Sequence, residues 1–148
     1  MAGFMRIEGD KELKRTLKTV SPAEANRIAK RTVTVLARRV RDVARGRAPV
    51  DEGNLKRATK SRRARGSRDE AAAEVWVDRS GGRSGQGQHW HLVEFGARGG
   101  NMPAQPFVNP TIEEFRPRMP LLYRTEWWPQ YRKEMEKRAR KQAARQGR

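Results

Sequence analysis

The chain has 148 residues, the usual length of one domain, and a formal net charge of +17. It contains no cysteine, which excludes disulfide bonds and zinc–thiolate sites. No apolar run approaches the roughly 20 residues that a membrane-spanning helix needs, and the first ten residues lack the apolar centre of a signal peptide. We therefore expect a protein made and used in a reducing cytoplasm, without a membrane partner.

Apolar residues are scarce for a folded chain of this size. Leu, Ile, Val and Phe together number 24 of the 148 residues, which with the high net charge is typical of disordered chains. Several segments are nevertheless patterned for secondary structure. We expect a thin core in each copy, completed by neighbouring subunits in an obligate oligomer.

The basic excess is compatible with three roles. It can neutralise phosphates in a nucleic-acid-binding protein, dock onto acidic protein surfaces, or form a solvated surface that aids solubility. Folded DNA readers usually carry a recognisable motif, and we find none in the sequence.

The first predicted elements are short. Residues 5–8 form a short strand or a lead-in to the fold. Asp10 is the predicted N-cap of a short helix, on which Leu13 and Leu17 are four residues apart.

A long amphipathic helix comes next. Ser21 is its N-cap, Pro22 takes the first helical position and Glu24 completes a capping box. The helix is predicted to run to about Arg45 and to end at Gly46. Its apolar residues recur at three- and four-residue spacing and form one core-facing stripe: Ala29, Val33, Leu36, Ala37, Val40, Val43 and Ala44.

The segment after this helix predicts a structural turn. Pro49 fixes φ, Asp51 can fold back onto the backbone, and Gly53 tolerates a positive φ.

A hairpin is predicted after the turn. Residues 55–65 are a weak strand, residues 66–69 are a turn, and residues 74–78 are a strand on which Val75 and Val77 share one face. The first arm of the hairpin carries a basic patch: Lys56, Arg57, Lys60, Arg62, Arg63 and Arg65. Residues 79–88 are rich in Gly and Ser and predict a loop, without the Lys-Ser or Lys-Thr of a phosphate-binding P-loop.

Two histidines in residues 89–95 raise the question of a metal site. Such a site needs at least three convergent ligands, and the chain has only two histidines. On a strand His89 and His91 share a side, but Glu94 points to the opposite face. On a helix His91 and Glu94 can be neighbours, but His89 diverges. The spacing predicts no metal, no cofactor and no catalytic group; instead the apolar residues pack while Glu94 bonds nearby backbone or an arginine.

The last third of the chain is rich in proline. Residues 102–110 contain three prolines, which forbid a helix or a central strand, so we expect an extended arm. Pro110 is predicted to open a helix through Phe115. Three further prolines are expected to interrupt the segment after this helix: Pro117, Pro120 and Pro129. We therefore divide the chain into a domain at residues 1–128 and a basic tail at residues 129–148, helical or frayed.

Three blocks in this order carry a family resemblance. They are A-P-V-D-E-G-N-L-K-R at residues 48–57, H-W-H-L-V-E-F-G at 89–96 and M-P-A-Q-P-F-V-N-P at 102–110. Together they resemble the tail-completion family of long-tailed double-stranded DNA phages, which also occurs in prophages and gene transfer agents. The chain departs from the residues usual in that family, Thr, Tyr and Thr, at three positions: Glu52, His89 and Ala97.

The resemblance implies an α+β subunit in which helices pack on a small antiparallel sheet. It also implies a structural virion protein and no enzyme: a tail-terminator or head–tail joining subunit of a ring, commonly six-fold. Such a ring caps the tail tube, joins it to the head connector or stopper protein, and leaves a channel for DNA.

In a cyclic ring each interface joins two different faces of the subunit. We expect the second and third blocks to contribute to it through Trp90, Phe95, Met102, Phe107 and Val108. The basic patch faces either the DNA channel or acidic partner surfaces, and the second is favoured because tight DNA binding would hinder passage. The rival interpretations are a sequence-independent nucleic-acid-binding protein and a metal-dependent nuclease that uses the histidines.

Overall fold

The computed structural model describes the protein over residues 4–8, 20–50, 53–65, 70–80 and 87–147. Four sequence predictions fall wholly or largely outside these ranges: the short helix after Asp10, the contribution of Asp51 to the turn, the turn at 66–69 and the loop at 79–88.

The first described helix, α1 (Pro22–Arg47), begins as the sequence predicts. Ser21 Oγ accepts a hydrogen bond from the backbone N–H of Glu24, and the Glu24 carboxylate accepts one from the backbone N–H of Ser21. The capping box is thus confirmed, and the hydrogen bond from the Ser21 backbone lowers the pKa of Glu24. The helix extends two residues past its predicted end at Arg45, because Gly46 keeps helical geometry.

The predicted strand over residues 55–65 is wrong in its first part. Asn54–Ala58 forms a short helix, α2, and strand β2 (Thr59–Arg63) begins only after it. Gly53 has a φ of 72°, the left-handed conformation that the predicted turn assigned to it. The apolar residues of this turn are three apart, so a helix directs both to one core cluster: Leu55 and Ala58.

Within the described ranges, three antiparallel strands form the sheet, in the order β1–β3–β2. Strand β1 is Met5–Glu8 and strand β3 is Ala72–Val77, so the predicted pairing of β2 with β3 is confirmed. Val75 lies opposite both Met5 and Ser61, which fixes the register. Alternate residues of β3 are buried in the core beside α1: Ala73, Val75 and Val77.

The histidine-containing segment is a short helix, α3 (Trp90–Phe95). The arm after it has no regular structure over residues 103–106, in agreement with the limits that its prolines impose.

The largest correction concerns the C-terminal third. Helix α4 (Val108–Gln146) is continuous over 39 residues, where the sequence predicted a helix from Pro110 to Phe115 and then interruptions. A proline inside a helix removes one backbone hydrogen bond and costs about 3 kcal/mol. Three prolines are accommodated within α4: Pro117, Pro120 and Pro129.

Packing on α1 offsets that cost. Tyr123 and Trp127 are buried in the core that α1 and α4 share. Ion pairs also join the two helices. In these pairs the residue number on α1 decreases as the residue number on α4 increases, so the two helices run antiparallel. From the end of α1 to its start the pairs are Arg47–Glu114, Arg39–Glu126, Arg31–Glu134, Arg27–Glu134 and Glu24–Arg138.

The start of the predicted solvated tail also packs on the fold. Glu134 is 4% exposed and Met135 lies against the core, so burial continues past the predicted domain boundary at residues 128 and 129. Residues 136–147 are all exposed and helical except for Gly147, which makes this end of α4 a solvated basic helix.

The described core has two parts. One joins α1 to the sheet and to α4, with Ile28, Val33, Leu36 and Val40 of α1 at its centre. The other lies at the end of α1, where α2, α3 and the start of α4 meet around Phe107. The architecture is α+β, as predicted. No helix in the described ranges is long and apolar enough to cross a membrane.

Candidate functional site

A buried glutamate ties α3 to the start of α4. Glu94 is 2% exposed, and its carboxylate accepts hydrogen bonds from three consecutive backbone N–H groups. One oxygen accepts from Phe107 and Val108, each at 2.8 Å, and the other accepts from Asn109 at 2.7 Å. These N–H groups open α4 and have no partner within the helix. Glu94 therefore caps α4 from a different helix and meets the positive end of its dipole.

The backbone of the arm completes this junction. The N–H of Gln105 donates to the carbonyl of Val93 at 2.7 Å, and the N–H of Ala97 donates to the carbonyl of Met102 at 3.1 Å. Gly96 has a φ of 78°, and a Cβ there would lie 3.0 Å from the Met102 carbonyl oxygen. Only glycine fits this close turn without strain. We call this hydrogen-bonded unit of α3, the arm and the first turn of α4 the Glu94 junction.

A shallow groove lies beside the Glu94 junction. It has a volume of about 480 Å³ and is open to solvent. It is lined by Pro49, Val50, Asn54, Leu55, Val93, Met102 and Gln105. We call it the arm groove. None of the described residues that line it is charged.

The predicted interface residues occupy three environments. Phe107 and Val108 are 0% and 3% exposed, so their own chain encloses them and they offer no surface to a partner. Trp90 is half-buried against the same cluster. Phe95 and Met102 are 66% and 38% exposed, and of the five predicted interface residues these are the two that present most of a large apolar side chain to solvent. The structure thus narrows the candidate surface to the outer side of the junction.

The predicted basic patch is not one array. Lys60 binds Asp78 at 2.5 Å, and Arg62 binds Glu74 at 3.2 Å across neighbouring strands. Arg62 also lies over the ring of Trp76, with its guanidinium carbon 4.8 Å from the centroid.

The other members of the patch are exposed. Arg57 donates to the side-chain oxygen of Asn54 at 2.5 Å. Lys56, Arg63 and Arg65 have no ion-pair partner among the described residues. Arg62 and Arg63 are neighbours on a strand and therefore point to opposite faces. Lys56, Arg63 and Arg65, together with Arg57, whose partner Asn54 is neutral, are therefore the cations of the patch that no described acid neutralises.

Asp78 has the most perturbed acid group in the described part of the chain. The hydrogen bond from Lys60, together with bonds from the hydroxyl and backbone N–H of Ser80, lowers the pKa of Asp78 to about 2. Such a carboxylate is stabilised in its charged form, as in a structural ion pair, and has no proton to donate near neutral pH.

The histidines do not converge with further ligands. His89 and His91 are both exposed, and the carboxylate of Glu94 is already bonded to backbone N–H groups. Within the described ranges no three His, Asp or Glu side chains come close enough to hold a metal ion.

Sequence reasoning missed one exposed surface. Leu121 is 68% exposed and Trp128 is 48% exposed, and both lie on the outer side of α4. Their seven-residue spacing is a helical signal. The prolines around them concealed it, because they predicted that this segment was broken.

The chain is a small α+β protein in which the second and third sequence blocks form the Glu94 junction. Two apolar side chains of these blocks, Phe95 and Met102, are exposed at its surface. The chain belongs to the HK97-gp10-like family, described as "Bacteriophage HK97-gp10, putative tail-component", which matches residues 11–96, more than half of its length. Comparisons with curated proteins and with solved structures gave no match. The family match confirms the resemblance to phage tail proteins and includes the first two of the three blocks. The chain is accordingly a structural phage tail protein, and its location is the virion.

Proposed function

We propose that the chain is a tail-completion subunit, of which several copies form a closed ring at the head–tail junction. The ring, six-fold in this proposal, caps the tail tube and joins it to the head connector or stopper protein. It leaves a channel through which double-stranded DNA passes. The role is mechanical and involves no catalysis, and membership in a family of structural tail components supports it.

The exposed apolar edge of the Glu94 junction is the observation that carries the proposal. Phe95 and Met102 of the junction are 66% and 38% exposed, and Val50, which lines the arm groove together with Met102, is 72% exposed. The backbone that bears Phe95 and Met102 is fixed by hydrogen bonds to Glu94 and between arm and helix. A rigid apolar surface is suited to assembly, because little conformational entropy is lost when a partner covers it.

The unpaired basic residues fit acidic surfaces of the tube or connector. DNA that must move through a ring is poorly served by many phosphate contacts, since each one adds salt-sensitive affinity. Reversal of Lys56, Arg63 and Arg65 to Glu tests this role, with Arg62 left unchanged because Glu74 and Trp76 already engage it. Loss of head–tail joining with normal DNA retention is expected; normal joining with DNA leakage would instead place these residues at the channel.

The decisive experiment places the subunit in the particle. Deletion of its gene should give filled heads and separate tails, which electron microscopy counts directly, and the wild-type gene supplied in trans should restore joined particles. Label attached at residue 147, at the exposed end of α4, should appear at a single position in each particle, the neck. Label along the tube, or none in purified particles, would contradict the proposal.

A sequence-independent nucleic-acid-binding protein is the second candidate. The exposed end of α4 favours it, because five basic residues lie there against one acid: Lys137, Arg138, Arg140, Lys141 and Arg145 against Glu136. Affinity of the purified chain for a duplex should then fall steeply with salt. Truncation after Met135 removes this end and keeps the contacts of Glu134 with α1. Loss of duplex binding with intact head–tail joining would support this second function for the tail.

A further inference from the structure

A basic cleft lies where the last part of α4 passes the start of α1. It has a volume of about 200 Å³ and is open to solvent. The described residues that line it are five cations, two acids and one glutamine, and none of them is apolar. We call it the α1–α4 cleft. Its cations are Arg27, Lys137, Arg138, Lys141 and Arg145.

Both acids of the cleft are already engaged. Glu24 belongs to the capping box of α1, and its carboxylate lies 3.5 Å from the guanidinium group of Arg138. The carboxylate of Glu134 is shared by Arg27 and Arg31, at 2.8 and 2.9 Å. The cleft therefore holds three cations that no described acid neutralises: Lys137, Lys141 and Arg145.

These three cations form a row along α4. They are exposed and four residues apart, so they share one face of the helix. At a rise of about 1.5 Å per residue the row is about 12 Å long. One strand of a DNA duplex carries a phosphate about every 3.4 Å along the axis, so the row spans about three nucleotide steps.

The lining of the cleft favours nucleic acid over a protein as its partner. The centre of a protein–protein interface is depleted in charged residues and enriched in aromatic ones, whereas a protein–DNA interface is polar and strongly positive. The described lining of the cleft has no apolar side chain, and no acid follows Glu136 in the sequence. The exposed apolar side chains of Phe95 and Met102, by contrast, have the chemistry that a protein partner covers.

We propose that the α1–α4 cleft binds the phosphate backbone of double-stranded DNA through Lys137, Lys141 and Arg145. The contact is independent of sequence, because cations that meet phosphates do not read base edges. Arg27 and Arg138 stay paired with the two acids and hold α4 against α1. Contacts of this kind weaken with salt and let a protein slide along the duplex.

This inference rests on the second candidate function, since it specifies which cations at the end of α4 contact DNA. The ring role does not depend on it.

Two triple variants with the same loss of charge test the contact. The cleft variant combines Lys137→Gln, Lys141→Gln and Arg145→Gln. The control removes three exposed cations of the same helix that do not line the cleft and have no ion-pair partner among the described residues: Arg132→Gln, Lys133→Gln and Arg140→Gln. Circular dichroism and thermal melting verify that each variant is folded.

Fluorescence anisotropy measures the affinity of each full-length chain for two labelled duplexes of unrelated sequence, between about 0.05 and 0.2 M salt. The wild type should bind both duplexes equally, with log K falling linearly against log salt. In the cleft variant this slope should be shallower by about 2 to 3, and the affinity at about 0.1 M salt should fall at least tenfold. The slope of the control should change by less than about 1.

An acidic protein is the other class of partner, and a poly-glutamate peptide represents it in the same assay. If the cleft variant loses affinity for poly-glutamate but binds the duplexes as the control does, the partner is an acidic protein and the inference is wrong. A strong preference of the wild type for one duplex would also overturn it, because phosphate contacts alone do not distinguish sequences.

The outcomes also separate this inference from the functions proposed above. Equal slopes in the two variants, with steep binding by the wild type, would leave the second candidate function standing and place the contact outside the cleft. A wild-type chain without affinity for a duplex would overturn both. The ring role fails instead if the labelled wild-type chain is absent from the neck, whatever the result with DNA.

Discussion

Two buried glutamates hold α4 in place by different means. Among the described residues, Glu94 accepts hydrogen bonds from backbone N–H groups at the first turn of α4 and from no side chain. Glu134, near the other end, accepts from the guanidinium groups of Arg27 and Arg31, whose side chains are 51% and 35% exposed. One contact depends on fixed backbone dipoles in a closed site, and the other depends on charges that water and salt can reach. The comparison shows that a highly basic chain uses its few acids both to build a turn and to neutralise a helix contact.

The largest expected effect is at Glu94. Glu94→Ala leaves three backbone N–H groups of the first turn of α4 without acceptors in a buried site, and should lower the free energy of unfolding by about 3 kcal/mol or more. Urea unfolding at neutral pH measures the change.

Glu113→Ala is the matched control, because Glu113 is an exposed acid of α4 with no hydrogen bond or ion pair among the described residues. It should change stability by less than about 0.5 kcal/mol. Equal effects of the two substitutions would mean that the Glu94 hydrogen bonds contribute nothing beyond the loss of a negative charge.

Gly96 tests the backbone half of the same junction. Gly96→Ala adds a Cβ 3.0 Å from the Met102 carbonyl oxygen at a φ of 78°, and should destabilise the fold by about 2 kcal/mol. Gly46→Ala, within α1 and with open space around the new Cβ, should instead stabilise it by about 0.5–1 kcal/mol. Opposite shifts of the melting temperature are expected, and a neutral Gly96→Ala would show that the turn relaxes.

Glu134 supplies the contrasting result. Glu134→Gln removes the charge that Arg27 and Arg31 share, and we expect a loss of about 1–2 kcal/mol at low salt, since the acid is buried but the arginines are partly solvated. The loss should shrink in about 0.5 M salt, whereas that of Glu94→Ala should not. The same salt response in both variants would remove the distinction between the two contacts.

Asp78 gives the smallest effect, and it appears as pH dependence. The hydrogen bond from Lys60 lowers the pKa of Asp78 to about 2, below its ordinary value of 3.8. A depressed pKa means that this stabilisation is complete above about pH 5 and is lost as the pH falls through 4 towards 2. Asp78→Asn should cost about 1 kcal/mol at pH 7, clearly less at pH 2, and nothing once the pH is well below the folded pKa. A cost that is constant from pH 7 to pH 2 would contradict the ion-pair account.

Local patterns predicted the parts of the fold that local interactions determine. The Ser21 capping box and the apolar stripe of α1 are consequences of spacing along one helix, and both are present. The sequence also predicted that Glu94 would bond either to backbone or to an arginine, and backbone N–H groups are the donors. Its particular partners, the N–H groups from Phe107 to Asn109, were not predicted, because they are 13 to 15 residues away and require the arm to fold back.

Tertiary packing explains the main errors. The prolines of α4 have strong local preferences against a helix, yet burial of Tyr123 and Trp127 on α1 and the ion pairs along it offset them. Because the prolines predicted a broken helix, Leu121 and Trp128 were not expected to share a helix face. The exposed surface that they form was therefore not predicted. The interface prediction took Phe107 from the third sequence block, and sequence alone does not distinguish an enclosed aromatic residue from an exposed one.

The central claim is that the block at residues 89–96 is a structural junction and not a metal site. Thermal melting of the wild type, Glu94→Gln and the double variant His89→Ala, His91→Ala, each with and without Zn²⁺ or Mn²⁺, tests it most directly. We predict that Glu94→Gln melts at a clearly lower temperature, that the double histidine variant melts like the wild type, and that neither metal shifts any of them. A metal-dependent rise in the melting temperature of the wild type that the histidine variant lacks would contradict the account.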